Sequence, residues 1–347
     1  MKIAFVVHNE LFASVSSGAA TALRPTPRIF RAALYWLAAS APACNALAQD
    51  YPARPMRLIV AFASGGSVDL VARLVGQKLS EAWGQQVVID NRPGAGGNLS
   101  AGLAARATPD GYTLYMSSAS LVVNPSLYRN LPYDPIRDFA PVTLIASVQN
   151  VLVAHPSVPA RNVNQLIELA RKAPGTINYA STGSGSSGHL TMELFKSMAG
   201  IALTHVPYKV IGQATTDLLS GQVSLWFPTI PGALPHIRAG KMIALAVAGG
   251  KRSPALAEVP TVAESGLSGF EASTWYPLLV PAGTPQPIVG KLNAQVVAIL
   301  SSAEVHGRLV GQGVEPIGST PAQLASHLRS ELAKWAKVVK LSGVSVD

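Results

Sequence analysis

The sequence predicts a two-domain α/β protein, and three features of its 347 residues support that prediction. Strand and helix patterns alternate in two separate regions, as they do in parallel sheets that are covered by helices. A long extended stretch without helical periodicity follows each of these regions. Loops of glycine and hydroxyl residues follow several of the predicted strands, at the sheet edge where α/β proteins bind ligands. A single long doubly wound sheet would also give alternating elements, so the division into two domains depends on the extended stretches.

The N-terminal segment has the features of a secretory signal peptide. Basic residues precede an apolar stretch, and Ala46-Leu47-Ala48 matches the small-residue pattern of a cleavage site. We therefore expect residues 1–48 to be an upstream segment and a leader, with cleavage before Gln49 and a periplasmic mature protein. A buried N-terminal helix is the alternative, and Pro42 argues against it. Cys44 is the only cysteine, so a chain that begins at Gln49 has no disulfide and no cysteine-ligated metal.

Composition argues against several classes of function. Hydrophobic residues make up 48% and charged residues 13%, yet no stretch after Asp50 has the ~18 uninterrupted apolar residues of a membrane span. The formal net charge is +9, but the basic residues are scattered and not clustered with aromatic residues, so no nucleic-acid partner is expected. No histidine and carboxylate cluster has the spacing of metal ligands, so we expect neither a metal nor a cofactor.

The first alternating region predicts a parallel sheet. The apolar run at 56–62 predicts a strand, and the apolar positions of 68–82 predict an amphipathic helix. A second strand at 85–90, a glycine turn with a short helix, and a third strand at 112–118 follow. The stretch at 139–157 then has the pattern of a long extended segment.

The second alternating region begins with a helix. Asn162 and Gln165 have the spacing of a capping box at the start of that helix. The elements that follow are a strand at 177–181, a helix at 189–200, a strand at 204–208, a helix at 214–222 and a strand at 223–227. A second extended piece at 270–285 precedes three helices, the last of which opens with a Thr-Pro-Ala-Gln cap at 320–323.

The two extended stretches suggest that the chain crosses to a second domain and returns. We expect domain 1 to comprise residues 49–147 and 277–347, and domain 2 to comprise residues 148–276. A two-strand hinge of this kind leaves a cleft between the domains, and such clefts favour small-molecule sites.

Two polar loops of the first domain are candidate binding elements. The first loop consists of Ser64, Gly65, Gly66 and Ser67. It opens a helix whose first turn contains Asp69, which is either a ligand contact or a helix-start residue. The loop after the third strand, within 116–125, contributes Ser118 and Ser120. Hydroxyl groups and the free amides of a helix start can hold an anion without a salt bridge.

A third polar loop lies between a strand and a helix of the second domain. Its candidate residues are Ser181, Thr182, Gly183, Ser184, Gly185, Ser186, Ser187 and His189. The loop matches G-x-G-x-x-G, but the acidic residue that a dinucleotide site needs about 20 positions on is missing between Glu193 and Asp217. A carboxylate site is favoured, with a simple Ser/Gly turn as the alternative. Tyr208, after the next strand, is either a wall of the cleft or a core residue.

A hydrolase is the chief alternative function. Ser186 or Ser187 with His189 could form a Ser–His pair for hydrolysis or acyl transfer. Neither glycine loop contains the G-x-S-x-G nucleophile elbow, and a histidine in a first helical turn is more often a capping or packing residue. We therefore expect no catalytic residue. A ligand sensor for a signalling partner is a third possibility.

Several segments together resemble the Bug family, the TctC-like periplasmic substrate-binding proteins of tripartite tricarboxylate transporters. The similarity runs from about Tyr51 to the C-terminal helix. The segments that carry it include YPARPMRLIVAF, VVIDNRPGAGGNLSA, PDGYTLYM, NPSLYRNLPYDPIRDFAPVTLIA, INYASTGSGSSGHL, HVPYK, DLLSGQ, KRSPALAEVPTVAESGL and WYPLLVPAGTP.

The resemblance implies a two-domain Venus-flytrap fold of the periplasmic binding proteins, type II-like, with a two-strand hinge. It implies a small organic carboxylate held by main-chain amides, hydroxyls and bridging waters. The family's ligand loops fall on Ser64 to Asp69, Ser117 to Ser120, and Ser181 to His189. We expect a monomer that delivers the acid to membrane subunits of a transporter.

Some positions depart from the family pattern. Ala63 and Ser64 stand where the family usually has prolines, and Val68 stands where it often has threonine. Val210 replaces the glycine that usually follows VPYK. Pro228 stands where members often carry aspartate, which argues against a ligand amine and therefore against amino acids.

Overall fold

The structure is a computed structural model that describes residues 51–342. The predicted leader and its cleavage before Gln49 lie outside the described residues. The strands are β1 (Met56–Val60), β2 (Val87–Asn91), β3 (Thr113–Met116), β4 (Phe139–Gln149), β5 (Val151–Ala154), β6 (Asn178–Ser181), β7 (Thr204–Pro207), β8 (Leu225–Trp226), β9 (Ile243–Val247), β10 (Ser273–Pro281) and β11 (Val314–Pro316). The helices are α1 (Ser67–Trp83), α2 (Asn98–Ala105), α3 (Ser120–Leu127), α4 (Val163–Lys172), α5 (Ser187–Ala199), α6 (Ile211–Leu219), α7 (Ile230–Arg238), α8 (Gln286–Ser301), α9 (Ala303–Gly311) and α10 (Pro321–Ser342).

The strands form two mixed sheets. The first has the order β11-β4-β10-β3-β1-β2, with β1 parallel to β2 and β3, and β10 antiparallel to β3 and β4. The second has the order β7-β6-β8-β5-β9, with β6 parallel to β7 and β8, and β5 antiparallel to β8 and β9. The parallel sheet predicted for the first region is confirmed, and an antiparallel strand extends each parallel set.

Two extended segments connect the sheets. Strand β4 belongs to the first sheet, and after the single residue Asn150 the chain enters the second sheet as β5. Strand β10 returns the chain to the first sheet, where it pairs with β4 from Ser273 opposite Gln149 to Pro281 opposite Phe139. We call the first sheet with α1–α3 and α8–α10 lobe 1, and the second sheet with α4–α7 lobe 2. The alternative of one long sheet is therefore wrong.

Both sheets are buried on both faces. In β1, Leu58 and Val60 pack in one apolar cluster with α1 and α8, whereas Ile59 packs in another with α2 and α10. In β5, Leu152 and Val153 likewise point into two different clusters. Helices on both sides are the reason that Leu58–Val60 of β1 and all of β5 are continuously apolar and do not alternate with polar residues.

Several helices begin at positions that the sequence prediction misplaced. Helix α5 starts at Ser187, before the predicted 189, and α6 starts at Ile211, before the predicted 214. The stretch 116–125, predicted as a loop, enters α3 at Ser120 because its apolar residues pack into the core of lobe 1. These starts place first helical turns at the carboxyl edges of strands.

The two predicted capping sequences are confirmed. The Gln165 amide donates to Asn162 Oδ1 at 2.9 Å, and the Gln323 amide donates to Thr320 Oγ1 at 3.2 Å. The Thr320 amide in turn donates to Gln323 Oε1 at 2.8 Å, which completes the box at the start of α10. No single helix within 51–342 has the length and hydropathy of a membrane span; α8 and α9 reach them only together, across a bend of 68°.

Candidate functional site

A cavity of about 370 Å³ lies between the two lobes. The predicted site residues that line it are Ser64, Gly65, Gly66, Ser67, Ser118, Thr182, Ser186 and Ser187. The predicted site residues that do not line it are Asp69, Ser120, Ser181, Gly183, Ser184, Gly185, His189 and Tyr208. The structure thus brings the three predicted loops to one cavity, but only eight of the sixteen candidate residues line it.

The start of helix α1 forms the wall from lobe 1. The chain leaves β1 and turns at Gly65, whose φ of +84° is a conformation that favours glycine. Gly66 is the N-cap, and no described side chain caps the helix. The first amides of α1, those of Ser67 and Val68, are therefore open to a ligand in the cavity that both residues line.

Asp69 supports this loop from behind. Its carboxylate accepts hydrogen bonds from the Gly65 amide (2.9 Å), Arg73 Nε (2.9 Å) and Asn91 Nδ2 (3.0 Å). Burial alone would raise the pKa of Asp69, but these hydrogen bonds outweigh burial and hold that pKa below its ordinary value. The ionised carboxylate fixes the glycine turn, which agrees with the helix-start alternative for this residue.

The start of helix α5 forms the facing wall. Ser186 is the N-cap, and its Oγ accepts from the His189 amide at 3.4 Å. Ser187 Oγ donates to Asn150 Oδ1 at 2.9 Å, and Asn150 Nδ2 donates to the Phe227 carbonyl at 2.8 Å. Asn150 is the residue between β4 and β5, so this connection between the two sheets is hydrogen-bonded directly to the lobe 2 loop.

Two more helices begin at the cavity, and sequence reasoning missed both of their starts. Helix α6 presents Ile211 and Gly212, and α7 follows its N-cap Thr229. Neither start is capped by a described side chain. The Thr229 hydroxyl instead donates to Ser67 Oγ at 3.0 Å, across the cleft. Thr229 with Pro231 two residues later is a helix-start signal that could have been recognised in the sequence.

The polar lining consists of hydroxyl, amide and main-chain groups and one histidine. None of the described residues that line the cavity is Lys, Arg, Asp or Glu, and His236 is the one that can become a cation. Tyr276 shares a 2.5 Å hydrogen bond with Ser67 Oγ, and burial raises the pKa of its hydroxyl, which stays protonated. Thr274 is 2% exposed, and its Oγ1 has no partner among the described residues, so it is free for a ligand.

The remaining part of the wall is apolar. It consists of Phe62, Ile211, Trp226, Phe227 and Pro228. These residues come from the ends of strands β1 and β8 and from α6. No loop motif in the sequence marks them, so only the tertiary structure identifies them as lining residues.

Four of the predicted residues that do not line the cavity have other hydrogen-bond partners. Ser120 Oγ accepts from Ser118 Oγ at 3.0 Å, and Tyr208 Oη donates to Asp217 Oδ2 at 2.8 Å. Ser181 Oγ lies 2.6 Å from His205 Nε2, and the Gly183 amide donates to the same Ser181 oxygen at 3.1 Å. These contacts shape the loops that carry the lining residues.

His189 and His205 form a buried pair behind the lobe 2 loop. Their rings stack with centroids 4.2 Å apart, and the Gly185 amide donates to His189 Nδ1 at 3.1 Å. Burial lowers the pKa of His189, and burial together with His189 lowers the pKa of His205 to about 4. Both rings are therefore neutral near pH 7, and each holds one end of the loop.

This arrangement bears on the hydrolase alternative. Ser186 Oγ accepts from the backbone of His189 and not from its ring. The Nδ1 atom of that ring accepts the Gly185 amide, and its Nε2 faces Glu193 at 3.9 Å. Neither the Ser186 nor the Ser187 hydroxyl is hydrogen-bonded to the imidazole of His189. No group of three His, Cys, Asp or Glu within 51–342 could hold a metal ion.

Comparison with known proteins gives the family. The family described as "Tripartite tricarboxylate transporter family receptor" (TctC) matches residues 71–344. Protein BugT of Bordetella pertussis is 37% identical over 313 residues, which are 90% of this chain and 96% of that protein.

Solved structures agree over the same length. R. palustris Rpa4515 with adipate is 41% identical, with a TM-score of 0.83 over 85% of this chain and 99% of that one. The periplasmic binding protein BugD is 35% identical, with a TM-score of 0.81 over 85% and 99%. MatC from Rhodopseudomonas palustris with bound malate is 34% identical, with a TM-score of 0.78 over 83% and 100%.

The predicted two-domain fold of the periplasmic binding proteins is confirmed by these structures, and the predicted resemblance is confirmed by the family match. The chain belongs to the TctC, or Bug, family of periplasmic solute-binding proteins.

Proposed function

We propose that this protein binds a small organic carboxylate in the cavity between the lobes and delivers it to the membrane subunits of a tripartite tricarboxylate-type transporter. One observation carries the proposal: the starts of α1, α5, α6 and α7 all lie at a cavity whose described lining lacks Lys, Arg, Asp and Glu. A helix start offers roughly half a positive charge and free amides. In α7, Pro231 has no N–H and the Gly232 amide already donates to the Thr229 carbonyl at 3.0 Å, so α7 contributes mainly through its dipole. Together the four helix starts can stabilise an anion without a basic side chain.

The relatives support the same class of ligand. Two similar structures, Rpa4515 with adipate and MatC with bound malate, hold carboxylates. Family membership supports transient contacts with transporter subunits. The proposal includes a monomeric periplasmic protein that starts at Gln49, with domain 1 at 49–147 and 277–347 and domain 2 at 148–276.

The proposed ligand has no ammonium group. An ammonium ion in this cavity would need an acidic side chain or several free carbonyl groups. Pro228 lines the cavity at the position where family members often carry an aspartate, and none of the described lining residues is acidic. Amino acids are therefore disfavoured relative to simple carboxylates.

The proposed protein does not catalyse a reaction on its ligand. The imidazole of His189 is engaged with the Gly185 amide and lies behind the wall, so it is poorly placed to activate Ser186 or Ser187. Turnover of ester substrates by the purified protein would contradict this part of the proposal.

A panel of ligands in thermal shift and calorimetry tests the carboxylate. The panel contains mono-, di- and tricarboxylates, with nucleotides, neutral sugars and the amides of the same acids as controls. A carboxylate at about a thousand times its Kd adds about 4 kcal/mol of stability, which corresponds to a Tm increase of at least several degrees. A shift with a sugar or nucleotide, and none with any carboxylate, would overturn the proposal.

A matched pair of variants tests the location of the anion. Thr215 lines the cavity and Thr216 is exposed on the same helix; each hydroxyl donates to the carbonyl four residues before it, at 3.0 Å. Thr215→Asp should weaken carboxylate binding by at least about tenfold, because two negative charges ~4 Å apart repel by about 4 kcal/mol at the effective dielectric constant near a protein surface. Thr216→Asp should change it by less than about twofold. Equal effects in both variants would place the ligand elsewhere.

A further inference from the structure

Helix α7 runs along the cavity. Thr229, Gly232 and His236 all line it, and their spacing of three and four residues places them on one face of the helix. Thr229 marks the N-terminal end of α7, where its hydroxyl donates to Ser67 Oγ. His236 lies seven residues further on, which is roughly 10 Å along the helix axis at ~1.5 Å per residue.

His236 differs chemically from the rest of the lining. It is the described lining residue that can carry a positive charge, and its ring has no hydrogen-bond partner among the described residues. The side chain is half-buried, so water reaches it only in part. The His236 imidazole is therefore a hydrogen-bond donor on the cavity wall that is separate from the helix starts and available to a second group of the ligand.

The apolar wall indicates the shape of the ligand. A carboxylate held at the helix starts would have Phe62, Ile211 and Trp226 available for contact with its carbon chain. A chain that follows α7 away from the helix starts then approaches His236. Its far end meets a hydrogen-bond donor there, and not an apolar surface.

We infer that His236 is a specificity-determining residue that binds the far end of the ligand, so that the site selects linear acids with a second carboxylate over monocarboxylates of the same length. The inference rests on the proposed function, since the first carboxylate must occupy the helix starts. Its imidazole N–H donates to the second carboxylate, and a hydrogen bond to a charged group is stronger than one to a neutral group. The terminal methyl group of a monocarboxylate at the same place would leave the imidazole N–H without a hydrogen-bond partner.

The test compares pairs of acids of equal length by calorimetry, for example hexanedioate and hexanoate, from four to eight carbons. The pair with the tightest binding to the unmodified protein is then measured on His236→Ala, His236→Gln and His236→Lys. The control is Arg238→Ala, which removes an exposed cation from the same helix at a residue that does not line the cavity.

The unmodified protein should bind the diacid at least about tenfold more tightly than the monoacid, the effect of one hydrogen bond to a charged group. His236→Ala should remove most of that preference by weakening the diacid, with the monoacid changed less than about twofold, which also shows that the variant is folded. His236→Gln and His236→Lys, which keep a donor, should restore part of the preference, and Arg238→Ala should keep all of it.

A preference that survives His236→Ala, or one for the monoacid in every pair, would overturn the inference and leave the proposed function standing. Binding of no carboxylate in the panel would overturn both.

Discussion

Each of the two walls of the cavity contains the start of a helix, but different side chains hold the two starts in place. In lobe 1 the start of α1 is held by an ionised carboxylate, Asp69, which bonds a loop amide, an asparagine and Arg73. In lobe 2 the start of α5 is held by two neutral, stacked imidazoles, His189 and His205. Similar helix starts can therefore be held by different kinds of side chain. Those side chains determine how each wall responds to substitution and to pH.

The walls also differ in how tightly they are packed. A Cβ atom at Gly188 would lie 2.5 Å from the Phe227 carbonyl oxygen, which is backbone and cannot turn aside. A Cβ atom at Gly65 would have no heavy atom within 4 Å, and only its φ of +84° resists substitution. The lobe 2 wall is restricted by close contact, and the lobe 1 wall by backbone conformation.

Gly188→Ala should have the largest effect. The added methyl forces α5 away from the end of β8, at a cost of about 1–3 kcal/mol, and displaces the amides of Ser187 and Gly188. We expect a lower Tm and at least about tenfold weaker carboxylate binding. The matched variant Gly65→Ala should cost about 1–2 kcal/mol through backbone strain alone and retain measurable binding. A Gly188→Ala protein with unchanged Tm and affinity would show that the lobe 2 wall is not tightly packed.

Asp69→Ala should destabilise the lobe 1 loop by about 2 kcal/mol, because it leaves three partly buried hydrogen-bond donors without their charged acceptor. Arg73→Ala is the control: its side chain is 54% exposed, so loss of the ion pair alone should cost less than about 1 kcal/mol. Denaturant unfolding gives both free energies, and hydrogen exchange at Gly65 reports the loop itself. Equal losses in the two variants would mean that Asp69 acts only through Arg73.

Mild acid should weaken lobe 2 before lobe 1. The ordinary pKa of histidine is 6.5, and that of His205 in the fold is about 4, so between these values the unfolded chain binds protons that the folded chain does not. Stability from this group is fully present above pH 6.5 and falls as the pH drops towards 4. His189 faces Glu193 and shifts in the same direction, with Lys196 nearby. Asp69, with its lowered pKa, keeps its contribution until stronger acid.

The expected loss is on the order of 1 kcal/mol, since His205 is only half-buried and solvent screens it. Tm measured from pH 7.5 to 4.5 should fall less steeply in His205→Gln, which cannot take up the proton. His306→Gln, an exposed histidine on α9, is the control and should follow the unmodified protein. Parallel slopes in all three proteins would contradict a role for the buried pair.

Part of the fold and site follows from local pattern alone. The strand patterns of β1 and β6, the caps at Asn162 and Thr320, and the glycine turn at Gly65 were recognisable because each depends on residues within a few positions. The same holds for the three hydroxyl loops, since the carboxyl edge of a strand is where α/β sheets place ligands. That the predicted lining residues contact a ligand stays a prediction.

Only the tertiary structure decided which side chains of those loops face the cavity. Asp69, Ser181 and His189 lie in the predicted loops but turn to partners behind the walls, and those partners come from other strands and helices. The Thr229–Ser67 hydrogen bond joins residues 162 positions apart, and His236 reaches the cavity because α7 packs along it. Sequence pattern reports interactions within one strand, turn or helix. A cleft is assembled from many such elements, and its chemistry is determined by how the two sheets place them against one another.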